Sequence, residues 1–416
     1  MPTPKLRFKD ESGLDFPDWI NTTLNKCGLF IRGLSYKKDQ VVNDSSKTLV
    51  LRSSNIVGDG SLNLLKDCQF VNKEPNIHQC LETGDIVVCL ANGSVNLIGK
   101  AGDYKGNYKH GTVTVGAFCC IYRARDFPIG KYIFQTSQYR MFLNSTVQGG
   151  NGAISNLKTS DFENFQFLCP QKEEQHKIAE FLSTVNEKVE VLEKKLEALN
   201  SLKKGFMQRI FSQELRFKDD SGQDFPEWKT KCLGEISERI TRKNSNSETD
   251  IPLTISAEYG LVNQIEYFNK QIASKDLSKY FLLEKGEFAY NKSYSKGYDF
   301  GVIKRLEKYQ NGALSSLYIC FNVINQDCDF MMYYFDSLKW YKNMPEICQE
   351  GARNHGLLNC SVKEFFTIEL ELPSSKEEQR KIAEFLSAFD EKIEAVKRQV
   401  EAMKQVKKGL LQQMFV

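Results

Sequence analysis

The chain has 416 residues, 41% hydrophobic and 12% aromatic, which supplies cores for roughly two to four domains and excludes a disordered or fibrous protein. Its 56 basic and 53 acidic side chains leave a formal net charge of +3, so contact with a polyanion must come from local basic surfaces. Twelve scattered cysteines read as reduced thiols, and no apolar run approaches the ~20 residues that span a bilayer, so the sequence predicts a cytoplasmic protein without a membrane partner.

The first element is LRFKDESGLDFPDW, Leu6 to Trp19. Beyond it, residues 20–170 place short apolar runs at Lys47 to Leu51, Asp85 to Leu90 and Val113 to Tyr122 between Gly- and Asn-rich turns. That pattern predicts a mixed α/β domain with no long helix. From Lys172 onward, Ile178, Leu182, Val185, Val189, Leu192, Leu196 and Leu199 step by four and three residues. This is the seam of a coiled-coil helix about 35 residues or 50 Å long. LRFKDDSGQDFPEW, Leu215 to Trp228, then returns to the opening motif. A second variable segment, 229–372, predicts strands at Ile251 to Ile255, Glu287 to Asn291 and Leu317 to Val323, and a helix around Asp329 to Lys342. The second long helix begins at Lys376, with Ile382, Leu386, Phe389, Ile393, Val396, Val400 and Met403 on its seam.

Both blocks recur about 205 residues apart, and about half of the long block is identical between copies. The variable segments show no comparable similarity. The predicted layout is a first variable domain at 1–170, a helix at 171–213, a second variable domain at 214–375 and a helix at 376–416. Two matching stripes in one chain most simply bury each other as an antiparallel coiled-coil pair joining two α/β (mixed α+β) domains. The helix-to-LRFK succession would also be restored by joining the last residue to the first. A pseudo-twofold, circular arrangement with neighbouring termini follows. The competing arrangement packs each helix on its own domain. Lys203 and Lys407 occupy the next heptad position, before Gly205 and Gly409, which predicts looser packing near both C-terminal helix ends.

Signatures of catalysis fail on spacing. GSVNLIGKA, Gly93 to Ala101, has one residue too many for a phosphate-binding loop and ends in Ala rather than Ser or Thr. GGNG, Gly149 to Gly152, lacks the third glycine of a dinucleotide loop, and Pro17-Asp18 has no Glu-x-Lys companion. No Pro-Pro pair exists to begin an adenine methyltransferase tetrapeptide, no G-x-S-x-G elbow appears, and only His78 with Cys80 comes near metal-ligand spacing. The sequence therefore predicts no catalytic residue, no metal site and no cofactor in this chain.

Binding chemistry is better represented. Ionised side chains sum to roughly +5 over 20–170 and about −1 over 229–372. Each segment mixes Arg and Lys with Tyr and Asn, a combination that neutralises phosphates, donates to guanine, pairs with adenine edges and stacks.

The two KEEQxKIAEFLS helices, the two LRFKDxSGxDFPxW motifs and the unlike domains between them resemble the specificity subunit of type I restriction-modification enzymes. In the first domain the resemblance runs through RGLSYKK, LRSSNI, GDIVVCLANGS, LIGKAG and GGNGAISNLKTSDFENF. The second carries ISAEYGLV, KGEFAYNKS and ARNHGLLNCSVKEFF. The resemblance implies that each variable domain is a target recognition domain reading one half of a bipartite site in double-stranded DNA, while the helices space the heads and dock partners. It implies two methylation subunits that transfer a methyl group to adenine N6, and restriction subunits that translocate and cut through the methylation complex. S-adenosylmethionine, ATP and Mg would be used by those partners. The DNA-contact candidates are Arg32, Tyr36, Lys37, Arg52, Asn55, Asn92 and Ser94 in the first domain. In the second they are Arg242, Lys243, Asn291, Lys292, Tyr294, Lys296, Arg353 and Asn354. A coiled-coil interaction scaffold without DNA sequence preference is the rival reading; it explains the helices but not the doubled domain plan.

Overall fold

The short apolar runs of both variable segments become strands with two buried faces. In the computed structural model, which describes residues 4–58, 60–146, 155–270, 273–294, 297–348, 358 and 360–415, the run Ile86–Cys89 is buried throughout. Ile86 and Val88 join a core with Trp19, Tyr122 and Phe162, whereas Val87 and Cys89 join a second core with Leu49, Leu51 and Val115. Successive strand side chains point to opposite faces, so one run of four apolar residues serves two cores.

The chain divides into two compact units, residues 1–193 with 398–416, and residues 194–397. In the first unit an antiparallel sheet has the order Gly28–Arg32, Cys119–Ala124, Ile86–Cys89, Ala101–Asp103. A second sheet contains Thr48–Leu51, paired antiparallel to Phe70–Val71 and parallel to Val113–Val115. Ile20–Thr23 and Gln166–Cys169 form a separate antiparallel pair. The predicted single strand Val113 to Tyr122 is thus two strands in different sheets. The Cys119 N–H donates to the Gly116 carbonyl at 2.8 Å, turning the chain between them.

The second unit repeats this plan. Its antiparallel sheet runs Ser237–Arg239, Ile319–Val323, Phe288–Asn291, Val302–Arg305, and its mixed sheet pairs Pro252–Ser256 parallel to Asn311–Leu314 and antiparallel to Gly260–Asn263. Lys229–Cys232 and Glu369–Leu372 form the separate pair. The helix predicted around Asp329 to Lys342 spans Cys328–Asp336; Leu338 then takes a left-handed φ of 61°, and a short 3-10 turn covers Lys339–Asn343.

The long helices cover Lys172–Phe211 and Lys376–Met414, each about 60 Å at 1.5 Å per residue. The boundary between the units falls inside both. In the first unit, Ile178 and Leu182 of the first helix and Leu411, Met414 and the following Phe415 enter the core around Trp19. There the Leu6 N–H donates to the Gln413 carbonyl at 3.0 Å, and Lys404 pairs with Glu193 at 2.7 Å. In the second unit, Ile382 and Leu386 share a core with Ile210 and Phe211, and Phe206 packs edge-on against Phe385 at 5.1 Å. The first turns of each predicted seam therefore pack into domain cores. Farther along, Val185, Val189, Ile393, Val396 and Val400 are buried, while Leu192, Leu196, Leu199, Phe389 and Met403 are half-buried.

At Lys203 the apolar seam gives way to a polar contact, and open space lies beside Gly205 and Gly409. The Lys203 ammonium bonds Asp390 at 2.6 Å and lies 4.8 Å from the centre of the Tyr333 ring, and the Tyr333 hydroxyl donates to the same carboxylate at 2.7 Å. The helix continues through Gly205 to the buried pair Ile210 and Phe211.

The two repeated motifs explain one another. In the first unit Arg7 donates to the fully buried Glu174 at 2.8 and 3.1 Å and to the carbonyls of Phe16 and Pro17, while the Trp19 indole donates to Glu174 at 3.0 Å. Pro17 thus serves this packing. In the second unit Arg216, Trp228 and Glu378 form the same triad, with Arg216 reaching Phe225 and Pro226. Each LRFK motif clamps the first turn of a KEEQ helix. An acidic side chain there also suits the positive end of the helix dipole.

Candidate nucleic-acid interface

In each unit the central buried strand begins at a buried carboxylate. Asp85 accepts the Glu82 N–H at 2.7 Å and is gripped by Arg123 at 2.7 and 2.9 Å. Those hydrogen bonds, the largest influence on Arg123, raise its pKa above the ordinary guanidinium value. Glu287 accepts the Glu284 N–H at 2.7 Å and is gripped by Arg242 at 2.9 and 3.1 Å. Arg242, a predicted DNA contact, is therefore engaged in fixing the entrance of the strand Phe288–Asn291. The signal was present in the sequence, since Gly84-Asp85 and Gly286-Glu287 each precede an apolar run.

The opposite ends of these strands carry a second shared device. The Asn92 side-chain oxygen accepts the Ser94 N–H at 2.8 Å, and that of Asn291 accepts the Ser293 N–H at 3.1 Å. Each bond closes an Asx turn. In the first unit the Asn92 amide also donates to the Ser53 hydroxyl at 2.8 Å, which brings the segment Arg52–Asn55 beside Asn92 and Ser94. Ser53 belongs to this group although sequence reasoning passed over it.

Asn55 is withdrawn from the candidate set, because it is 1% exposed and its side chain is spent on the chain itself. Its oxygen accepts the Arg52 N–H at 2.8 Å, and its amide donates to the carbonyls of Asn63 and Lys66. Arg52 is half-buried and reaches the Asp67 carbonyl at 2.9 Å. Arg32 and Lys37 are exposed, whereas Tyr36 is half-buried against Leu34, Val50 and Val71.

In the second unit Lys243 places its ammonium 3.6 Å from the centre of the Phe281 ring, and the Lys292 carbonyl accepts the Leu358 N–H at 2.9 Å. Tyr294 is 57% exposed, the strongest solvent-facing aromatic of the predicted set. Lys296, Arg353 and Asn354 lie outside the described residues.

The rejected loop Gly93–Ala101 runs through a 3-10 turn at Val95–Leu97 and into a strand rather than a helix. Its Gly99 takes a φ of +74°, and the Gly99 carbonyl accepts the Tyr139 hydroxyl at 2.8 Å. Among the described residues no group of three or more His, Cys, Asp or Glu side chains is gathered as a metal site, and no helix is long and apolar enough to cross a membrane.

Comparison with known proteins gives a consistent picture. The type I restriction modification DNA specificity domain matches residues 81–201 and 226–405. The specificity subunit of the type I restriction enzyme StySPI from Salmonella potsdam is 28% identical over 200 residues, which take in 47% of this chain and 42% of that protein. The MjaVIII specificity subunit of Methanocaldococcus jannaschii is 24% identical over 433 residues, covering 97% and 94% of the two chains. The crystal structure of the S subunit of a type I restriction-modification system from M. genitalium aligns over 100% of this chain and 99% of its own, with a TM-score of 0.54 and 17% identity. That likeness shows a common fold.

Proposed function

We propose, from the premise that this chain belongs to the type I restriction-modification DNA specificity family, that it is the sequence-reading subunit of a DNA methylation and restriction complex. Each unit reads one half of a bipartite site in double-stranded DNA. The observation that carries this reading is the shared device of the two units, a carboxylate-locked strand ending in an Asn-x-Ser turn, set among unlike surrounding residues. One frame used twice with different side chains suits two half-sites of different sequence.

In this reading base contacts come from Arg32, Tyr36, Lys37 and Ser94 in the first unit and from Lys292 and Tyr294 in the second. Phosphate contacts hold the register. The long helices act as an antiparallel coiled-coil spacer, and the chain closes circularly; the ion pairs Lys203 to Asp390 and Lys404 to Glu193 and the bond from Leu6 to Gln413 support both features. Two methylation subunits dock on this frame, and restriction subunits join through them. Methyl transfer from S-adenosylmethionine and ATP- and Mg-dependent cutting belong to those partners. The complex works in the cytoplasm.

Single-molecule mapping of N6-methyladenine tests the reading, comparing cells that carry this chain and its methylation partner with cells from which it is deleted. A split motif that loses methylation on deletion is the expected result. Unchanged methylation at every motif, with the partner subunits present, refutes it.

A further inference from the structure

A groove of about 1020 Å³ in the first unit begins where the proposed reading loops end. Val57 and Gly58 lie just beyond Asn55, Val95 follows Ser94, and the opposite wall is residues 401–412 of the second long helix. Its charged lining is mostly basic, with Lys100, Arg140, Lys404, Lys407 and Lys408 beside Glu401. Lys404 and Lys408 are one helical step of four residues apart and so share a face. The buried Leu411 fixes that face toward the core. Lys404 is held by Glu193, so the wall is ordered as well as basic.

The repeated helix keeps Glu197, Lys203 and Lys204 at the places of Glu401, Lys407 and Lys408 but differs in detail. The counterpart of Lys407 in the repeat is Lys203, which Asp390 neutralises beneath the Tyr333 ring, and the counterpart of Lys404 is Asn200.

We infer that this groove carries the phosphodiester backbone of double-stranded DNA next to the first half-site, with Lys100, Arg140 and Lys408 as sequence-independent anchors. The inference rests on the DNA-reading function proposed above and adds residues of the repeated helix to it. Continuity with the Ser94 turn and the surplus of Lys100, Arg140 and Lys408 over Glu401 favour a polyanion over an apolar or basic protein segment. Anchors of this kind set affinity and register without choosing bases.

The test uses the full chain assembled with its methylation subunits, the wild type against the variant Lys100→Gln/Arg140→Gln/Lys408→Gln. Affinity is measured from low to physiological salt on a duplex carrying the mapped motif and on one with a half-site base pair changed. Each lost phosphate contact should reduce the slope of log K against log salt by about 0.9, and the triple variant should bind both duplexes roughly ten-fold or more weakly, with the methylated motif unchanged. Lys100→Arg/Arg140→Lys/Lys408→Arg should restore the slope, which separates charge from folding. A sequence-selective wild type whose affinity and slope survive the Gln substitutions overturns the groove and leaves the reading function intact. Wild-type binding that ignores sequence yet weakens in the variant overturns the reading and keeps the groove. Loss of methylation-subunit assembly with unchanged DNA affinity makes the groove a protein-docking face and also overturns the inference.

Discussion

Substituting Glu174→Gln keeps the shape of a fully buried side chain and removes its charge. Three donors converge on this carboxylate, Arg7 twice and the Trp19 indole once. An amide offers one oxygen and turns an N–H group toward at least one of those donors. The least unfavourable rotamer retains Trp19 and the 2.8 Å Arg7 bond and loses the bond at 3.1 Å. Breaking a buried pair costs roughly 3 to 5 kcal/mol, but Arg7 keeps about one fifth of its side chain exposed and finds water, so about 2 to 3 kcal/mol is expected. With a urea dependence of roughly 2 to 3 kcal/mol per molar, the midpoint of the first unit should fall by about 1 M. Hydrogen exchange followed by mass spectrometry across a urea series reads each unit from its own peptides, and Glu378→Gln supplies the matching perturbation of the second unit. Strict additivity of Arg7→Met and Glu174→Gln, with no coupling energy, would refute the clamp.

Further outcomes are expected. Tyr294→Ala should change base preference at one position of the second half-site by about 1 to 3 kcal/mol, whereas Asn55→Ala should loosen its turn and weaken all sequences alike; methylation assays on randomised targets distinguish them. Deleting four residues from each helix, within Lys188 to Leu199 and Lys392 to Met403, should shorten the unread gap by one to two base pairs without altering either half-site, and an unchanged gap sinks the spacer. Burial, the largest influence, pushes Cys169 and Cys320 up to about 12 from an ordinary 9.0. The unfolded chain then releases those protons first, so this contribution to stability is whole below about pH 9 and is lost as pH rises toward 12. Stability measured from pH 8 to 11 should decline accordingly, with both thiols resisting alkylation at neutral pH while exposed Cys68 reacts.

The repeats were legible in the sequence because a clamp must keep its residues: Arg7, Trp19 and Glu174 recur as Arg216, Trp228 and Glu378, each in the same place within its own repeated motif. The common topology of the units was not legible. Strands buried on both faces require only that residues be apolar, so IVVC and FAYN occupy equivalent places without resembling each other. Binding candidates chosen by residue type divided according to geometry. Asn55 carries a suitable group that is spent inward on the chain's own carbonyls, and Arg242, though 40% exposed, is bonded to Glu287. Composition records what a side chain offers, and only the fold records whether the offer is taken. The fate of Lys203 was hidden for the same reason, since its partner Asp390 lies 187 residues away in sequence.

The division of the chain also bears on its synthesis. The second unit is one continuous stretch, and its core is complete once residue 397 has emerged from the ribosome. The first unit begins earlier and finishes later, because Leu411, Met414 and Phe415 supply part of its core. A nascent chain must therefore hold an unfinished hydrophobic surface open while a whole neighbouring unit is made. Such delayed long-range closure is slow and exposes the chain to misassembly. A substitution at Leu411 or Met414 therefore acts on a unit whose other residues were translated some two hundred codons before.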